Sequence, residues 1–559
     1  MKRSVIAIGL DAADPELLDD WMEKGYLNNL KKLRKQGAYG RLEGGNYYKA
    51  ETPWTNFLTA CEPEATGYWG GIKLIEGTYD VQNIQAYDFE EHPPFYALGS
   101  GHKVAVFDMP KGTLSPNVDG VQVLAWGAHS PGTPSHSQPK EVFLDIERKY
   151  GKHPALHKDH GDWWNREYLT GLQSALQKGI EARTQICLDF LQEEDWDLFL
   201  TVFGEPHSAG HDFWFLSQPD HPLYEYVKNR FPKSDPLLET FRAVDASIGK
   251  IVETASEDTT IVIFSVHGSG NNTTDVPSMF MLGEFLYRWN FPGEALIAKG
   301  DPTKEPPTPL LNPKRKTWTG EIWQLREDPN IIRRSLRRSL PSKAHKYIDR
   351  FLGSIMEPDL SSAQKLQAEK DPFFWQPVSW YKPFWPKMKA FALPSFSEGY
   401  IRINLKGREP HGIVDPSDYE TVCDELTADL MKIINPRNGK PVVKQVIRSR
   451  NSSLDRDPKN PGADLIVEWA DIPADVIDHP KCGRIGPVPY RRTGSHRARG
   501  FINIKGPGIA GGTVLPEGRS IDVGPTILNL MDAPVPNKLE GKSVLWTLSQ
   551  AETLTSSKA

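Results

Sequence analysis

Cysteine is scarce in this chain: its 559 residues hold four, Cys61, Cys187, Cys423 and Cys482, with no CxxC pair among them. That argues against a cysteine-based zinc module and against a disulfide framework, and leaves buried or indifferent thiols. Long apolar runs are missing as well. Nothing approaches the roughly 20 residues of a membrane span. The opening run Val5 to Leu10 is cut by Asp11, shorter than the ~7–15 apolar residues of a secretory leader. Nor is there an excess of one charge, since 66 lysines and arginines face 72 acids for a net charge of −6, which gives no footing for a nucleic-acid partner. The expectation is a cytoplasmic protein with neither nucleic acid nor membrane as partner. Oligomeric state leaves no trace in the sequence.

What is present suits a large globular protein. The chain is 38% hydrophobic and 25% charged, with 46 prolines, 46 glycines and 16 tryptophans, enough for a sizeable core and many structured loops. Short β-branched runs at 4–10, 103–108, 197–203, 259–266 and 500–506 are each followed by glycine, a polar loop or a helical pattern. Such runs, alternating with helical stretches (15–36, 168–193 and 236–255), predict buried strands of a mostly parallel sheet sandwiched by helices. Between 286 and 387 prolines cluster, basic groups gather (Lys314–Lys316; Arg333, Arg334, Arg337, Arg338) and strand patterns vanish. The expected organisation is a core over 1–285, a helical insertion or cap over 286–387, the core's second part over 388–548, and a flexible tail over 549–559. The basic run Arg333–Arg338 could face a phosphate, an acidic partner or water.

Ligand-binding groups in open α/β sheets gather beyond the C-terminal ends of strands. Asp11, the segment Gly204–His211 and His267 stand there. A carboxylate in that place is a usual cation ligand, although an exposed loop aspartate is the plainer reading. His207 and His211 are four apart, so on a helix both imidazoles face one way and can reach one metal ion; they can equally be core or surface histidines. His496 precedes another strand pattern. Histidines at four strand-end positions are harder to dismiss together than singly. Glu205 is either an acid/base or orienting partner of an imidazole, or a salt-bridged helix-start acid. Thr52 before Pro53 makes a helix start where a hydroxyl can meet an anion, and is either a nucleophile or only a cap. His129 and His411, in loops, and Arg408 and Arg497, as anion clamps, are lesser candidates.

These motifs carry a resemblance. VIAIGLDAAD with GYLNNLKKLRKQGAYGRL, ETPWTNFLTACEPEATG, GEPHSAGHDFW, FSVHGSG, GSHRARGFINIKGPGI and IDVGPTILNLM stand in the order found in the type I phosphodiesterases and nucleotide pyrophosphatases of the alkaline-phosphatase superfamily. YIRINLKGREPHGIV is similar to a segment of one bacterial subgroup. The resemblance implies an alkaline-phosphatase-like fold, a hydrolase and a two-metal site. It places one ion on His207, His211 and His496 and the other on Asp11, position 266, His267 and a Thr or Ser nucleophile. This chain departs from that pattern. His207 stands where the family has a ligand aspartate, and Val266 where it has another; the family's His-Gly turn reads Thr66-Gly67. Counting to the family's nucleophile position gives Ala50, with Thr52 two residues on.

Three histidines with an open position suit zinc, although imidazole also takes iron, nickel and copper. Asp11 and His267, helped at most by Thr52 or Glu51, would make a weak or empty second site. The expected function is a divalent-metal hydrolase, zinc first, acting on a small anionic substrate such as a phosphate ester, diester or sulfate ester. A metal-assisted enzyme of other chemistry and a non-catalytic binding relative stand as alternatives.

Overall fold

The computed structural model describes residues 4–45, 52–84, 86–127, 133–158, 163–228, 234–297, 300–303, 317–326, 330–353 and 360–545. Ala50, Glu51, His129, Lys314–Lys316 and the tail 549–559 lie outside them. The chain divides into two compact units, one built from Met1–Gly71, Ile84–Gly270 and Thr493–Ala559, the other from Ile72–Asn83 and Asn271–Arg492.

The first unit is organised by a nine-stranded sheet. Its strands in chain order are β1 (Val5–Leu10), β2 (Ala38–Glu43), β3 (Gly99–Phe107), β4 (Val118–Leu124), β5 (His136–Gln138), β6 (Leu198–Phe203), β7 (Thr260–Ser265), β8 (Arg499–Lys505) and β9 (Gly518–Arg519). They lie side by side as β9-β2-β8-β7-β1-β6-β3-β4-β5. β4, β3, β6, β1 and β7 run parallel, whereas β8 is antiparallel to both its neighbours.

β1, β6 and β7 are buried along their whole length. Both faces are covered, so these strands read as continuous apolar runs rather than alternating ones. Alternate residues divide between the faces. Val5, Ala7, Leu198, Leu200, Val202, Val262 and Phe264 join one apolar cluster with Trp54, Phe57, Val523 and Ile527, from helices α1 (Thr52–Thr59) and α5 (Val523–Leu530). On the opposite face, Phe199 meets Phe190 at a ring separation of 6.2 Å. Phe190 belongs to α2 (Arg166–Glu193), which packs with α3 (Glu205–Ser217) and α4 (Pro236–Glu253). The helical stretch expected over 15–36 is two helices, Pro15–Glu23 and Asn28–Gln36, because Gly25 between them takes a positive φ of 77°.

In the second unit, Ala390–Leu393, Gly399–Ile403, Leu465–Trp469 and Val443–Arg448 form an antiparallel sheet of their own in that order. Residues 388–492 therefore group with 286–387, and only the segment from 493 onward returns to the nine-stranded unit. This differs from the expected return to the core over 388–548. Strand patterns alone do not say which sheet a strand joins, and these pair locally and antiparallel. Among the described residues, 286–387 holds helices and no strand, with one isolated bridge between Ile297 and Arg326.

Candidate metal centre

The site forms where three parallel strands stop. In register Leu10 pairs with Phe203 and Gly9 with Phe264, so β6, β1 and β7 end together. Asp11 follows β1, helix α3 with His207 and His211 follows β6, and His267 follows β7. β8 runs the opposite way, with Phe501 paired to Ser265. Its N-terminal end thus reaches the same sheet edge, bringing His496 from the preceding strand Gly494–Arg497. One antiparallel strand is what adds the fourth histidine.

Among the described residues, His207, His211 and His496 offer ligand atoms within 4.8 Å of one another, all buried. Their ring centroids are 4.6–4.9 Å apart. His211 Nδ1 lies 2.7 Å from the Gly494 carbonyl oxygen. A carbonyl can only accept, so Nδ1 carries the proton and Nε2 holds a lone pair. His207 Nδ1 faces Asp11 Oδ2 at 3.3 Å, and its Nε2 stands 2.8 Å from His211 Nε2. With both Nδ1 atoms protonated, two lone pairs would confront each other, an arrangement relieved by a cation or a proton between them. The donor set therefore fits a metal ion. Gly494 permits this approach, since a Cβ there would meet the Gly210 carbonyl oxygen at 2.2 Å.

Asp11 and His267 stand beside this group. Asp11 Oδ1 accepts from Trp54 Nε1 at 2.9 Å and lies 3.2 Å from His267 Nε2. His267 Nδ1 in turn is 3.2 Å from His496 Nδ1. Burial by itself would raise the Asp11 carboxyl, but the charge and hydrogen bonding of His207 and His267 hold it well below the usual carboxylate range. One carboxylate thus faces an imidazole of the group directly and reaches another through His267, the carboxylate–histidine pattern that orients metal-binding rings. In the sequence the only signal for Trp54 is its place in the helix after Thr52.

Val266, where the family pattern has an aspartate, is buried in the apolar cluster. Thr52 is buried at the first turn of α1, two residues before the tryptophan that donates to Asp11. Thr66 ends the helix Pro63–Thr66, and Gly67 caps it with a left-handed φ of 72°, a geometry glycine adopts without strain.

Glu205 takes the salt-bridged alternative. Its Oε1 accepts from Arg183 Nε at 2.9 Å and lies 3.1 Å from His153 Nε2, while Arg183 Nη2 reaches Asp108 at 2.8 Å. The Glu205 and Asp108 carboxylates and the Arg183 guanidinium are all buried. Burial would raise the Glu205 carboxyl, but Arg183 and then His153 bring it down to about 2. The sequence carried a signal for this network, because Arg183 lies on the stripe of α2 that also carries Leu176, Ile180, Cys187 and Phe190, where a lone cation needs an acid.

The lesser candidates fall elsewhere. Arg408 is not an open anion clamp: it is buried, giving two 2.7 Å bonds to Asp464 and further ones to Glu409. His411 lies against Tyr79, rings 6.3 Å apart. Arg497 fills the space beside Gly270, where a Cβ would lie 1.6 Å from its Nε. Neither Arg408 nor His411 belongs to the unit that holds the histidines. The four cysteines are buried and free.

No curated protein matches the chain. Among solved structures, phosphonoacetate hydrolase from Sinorhizobium meliloti 1021 in complex with phosphonoformate aligns at 12% identity and a TM-score of 0.45, covering 95% of this chain and 96% of that one. The same enzyme with phosphonoacetate aligns at 13% and 0.44, with the same coverage. Residues 5–303 match the family model of type I phosphodiesterase / nucleotide pyrophosphatase. With more than half its length matched, this chain belongs to the type I phosphodiesterase / nucleotide pyrophosphatase family.

Proposed function

We propose that this chain is a metal-dependent hydrolase of a small anionic ester, a phosphate ester or diester before a sulfate ester, working with a single three-histidine metal site. The observation that carries the reading is the convergence of His207, His211 and His496, with His211 Nδ1 fixed by the Gly494 carbonyl so that its Nε2 is left to a cation. Zinc fits best, because neutral imidazoles suit it and three protein ligands leave a position open. A divalent ion held there would supply Lewis acidity and lower the pKa of a water molecule beside it.

The chain's own residues do the rest. Asp11 orients His207 directly and His496 by way of His267, and it stays ionised at neutral pH. Thr52, on the helix turn that carries the Asp11 donor Trp54, is the candidate nucleophile. A second metal site is not part of the reading. Val266 offers no ligand, and Asp11 is already engaged by Trp54 and two imidazoles.

The test is turnover of a generic aryl phosphodiester and an aryl sulfate ester by the full chain. Turnover should be abolished by chelator, restored by zinc, and fall by roughly a hundredfold or more in His207→Ala, in line with loss of a metal ligand. Turnover that survives chelation and His207→Ala unchanged would remove the proposal.

A further inference from the structure

The second unit carries a surface whose chemistry the hydrolase reading does not use. Between 331 and 352 two short helices, Ile331–Ser339 and His345–Leu352, pack on each other as a hairpin. Asn330 caps the first by accepting from the Arg333 backbone N–H at 3.0 Å, and Arg337 pairs with Asp349 across the hairpin. The ordinary arrangement of a surface helix is inverted here. Ile331, Ile332 and Phe351 are 71%, 63% and 79% exposed, whereas Arg333 is 5% exposed and donates to the Gly353 carbonyl. Leu336, Leu340 and Tyr347 are exposed too. Six of the fifteen large apolar side chains exposed among the described residues thus fall within this one hairpin, too many to be the scattered exposure of any protein surface.

Charge is concentrated in the same stretch. The sequence from 331 to 352 has seven lysines and arginines against one aspartate, in a chain that is net negative overall. Lys343, Lys346 and Arg350 are exposed. Beside the hairpin lies a cavity of about 980 Å³ whose wall includes Arg326, Lys343, Lys346, Lys365 and Lys387.

We propose that this hairpin seats the protein on an anionic lipid surface, its exposed isoleucines, leucines and phenylalanine entering the headgroup boundary and its cations, with the basic cavity, meeting lipid phosphates. Short helices that present apolar side chains beside lysines and arginines bind in that plane without crossing it. No described helix is long and apolar enough to cross a membrane, and this mode requires none. A second copy of the chain is a poorer occupant, since two such faces would bring like charges together. A nucleic acid would meet the cations and leave the apolar side chains unused.

The test is co-sedimentation of the full chain with vesicles of phosphatidylcholine alone and of phosphatidylcholine mixed with phosphatidylglycerol. The chain should bind the mixed vesicles and not the zwitterionic ones, and should release at salt on the order of 0.5 M. Ile332→Asp combined with Phe351→Asp should weaken binding about tenfold or more, as should Lys343→Glu combined with Arg350→Glu, with unchanged thermal unfolding because these side chains are exposed. No binding to the mixed vesicles, or equal binding to both kinds, would overturn the inference. So would a dimer in sedimentation velocity that the Ile332→Asp, Phe351→Asp variant dissolves, which would assign the face to a second copy.

Discussion

His211→Ala should strip the protein of its metal, weakening zinc affinity by a hundredfold or more in a competition titration against a chelating dye. The Nε2 atoms of His207 and His211 meet at 2.8 Å, and the Gly494 carbonyl leaves His211 no tautomer in which Nε2 is protonated without the ring becoming a cation. Removing that ring leaves two ligands, which rarely hold a metal ion firmly. Asp11→Asn should do less. It keeps the shape of the carboxylate and loses its charge, so affinity should drop by roughly 10–100-fold, the usual cost of a lost orienting partner. The graded pair separates a ligand from the group that aims it. Equal and complete loss in both variants would place Asp11 among the ligands, as in the family's two-metal arrangement.

The largest effect on stability is expected from Arg183→Leu, at about 3–5 kcal/mol, because the substitution leaves two buried carboxylates without their cation. Asp108 and Glu205 both meet Arg183 with no exposure on any of the three side chains. Space around them is tight, since a Cβ on Gly179 would lie 2.0 Å from His153 Nε2. The measurement is the thermal unfolding midpoint, and adding Glu205→Gln to Arg183→Leu should recover part of the loss. The pH dependence has a definite sign. Glu205 falls from an ordinary 4.5 to about 2 on folding, so its contribution is complete above about 4.5 and is lost as pH drops toward 2. A variant as stable as the parent chain would mean that the network has no structural role.

Much of this was legible in the sequence, for identifiable physical reasons. β1, β6 and β7 are covered on both faces, so they stand out as short apolar runs, and their ends mark where Asp11, His207 and His267 collect. His207 and His211 are legible as a pair because they share one helix face. His496 was legible through its motif, but its arrival at the same edge depends on β8 being antiparallel, which a run of alternating residues does not declare. The indole of Trp54 on Asp11 depends on how α1 packs, and the pairing of Glu205 with Arg183 joins residues 22 apart in sequence. The extent of the second unit was the hardest to read. Strands over 390–403 have the same local pattern whichever sheet they join, and only their antiparallel partners decide it.

A single metal ion held by three histidines is tested most directly by the metal-to-protein ratio, read by elemental mass spectrometry on chain purified without chelator or a histidine tag. The expected ratio is near one and is lost in His211→Ala. A ratio near two would contradict it and restore the family's two-metal site despite Val266, and no metal even after reconstitution would contradict it from the other side.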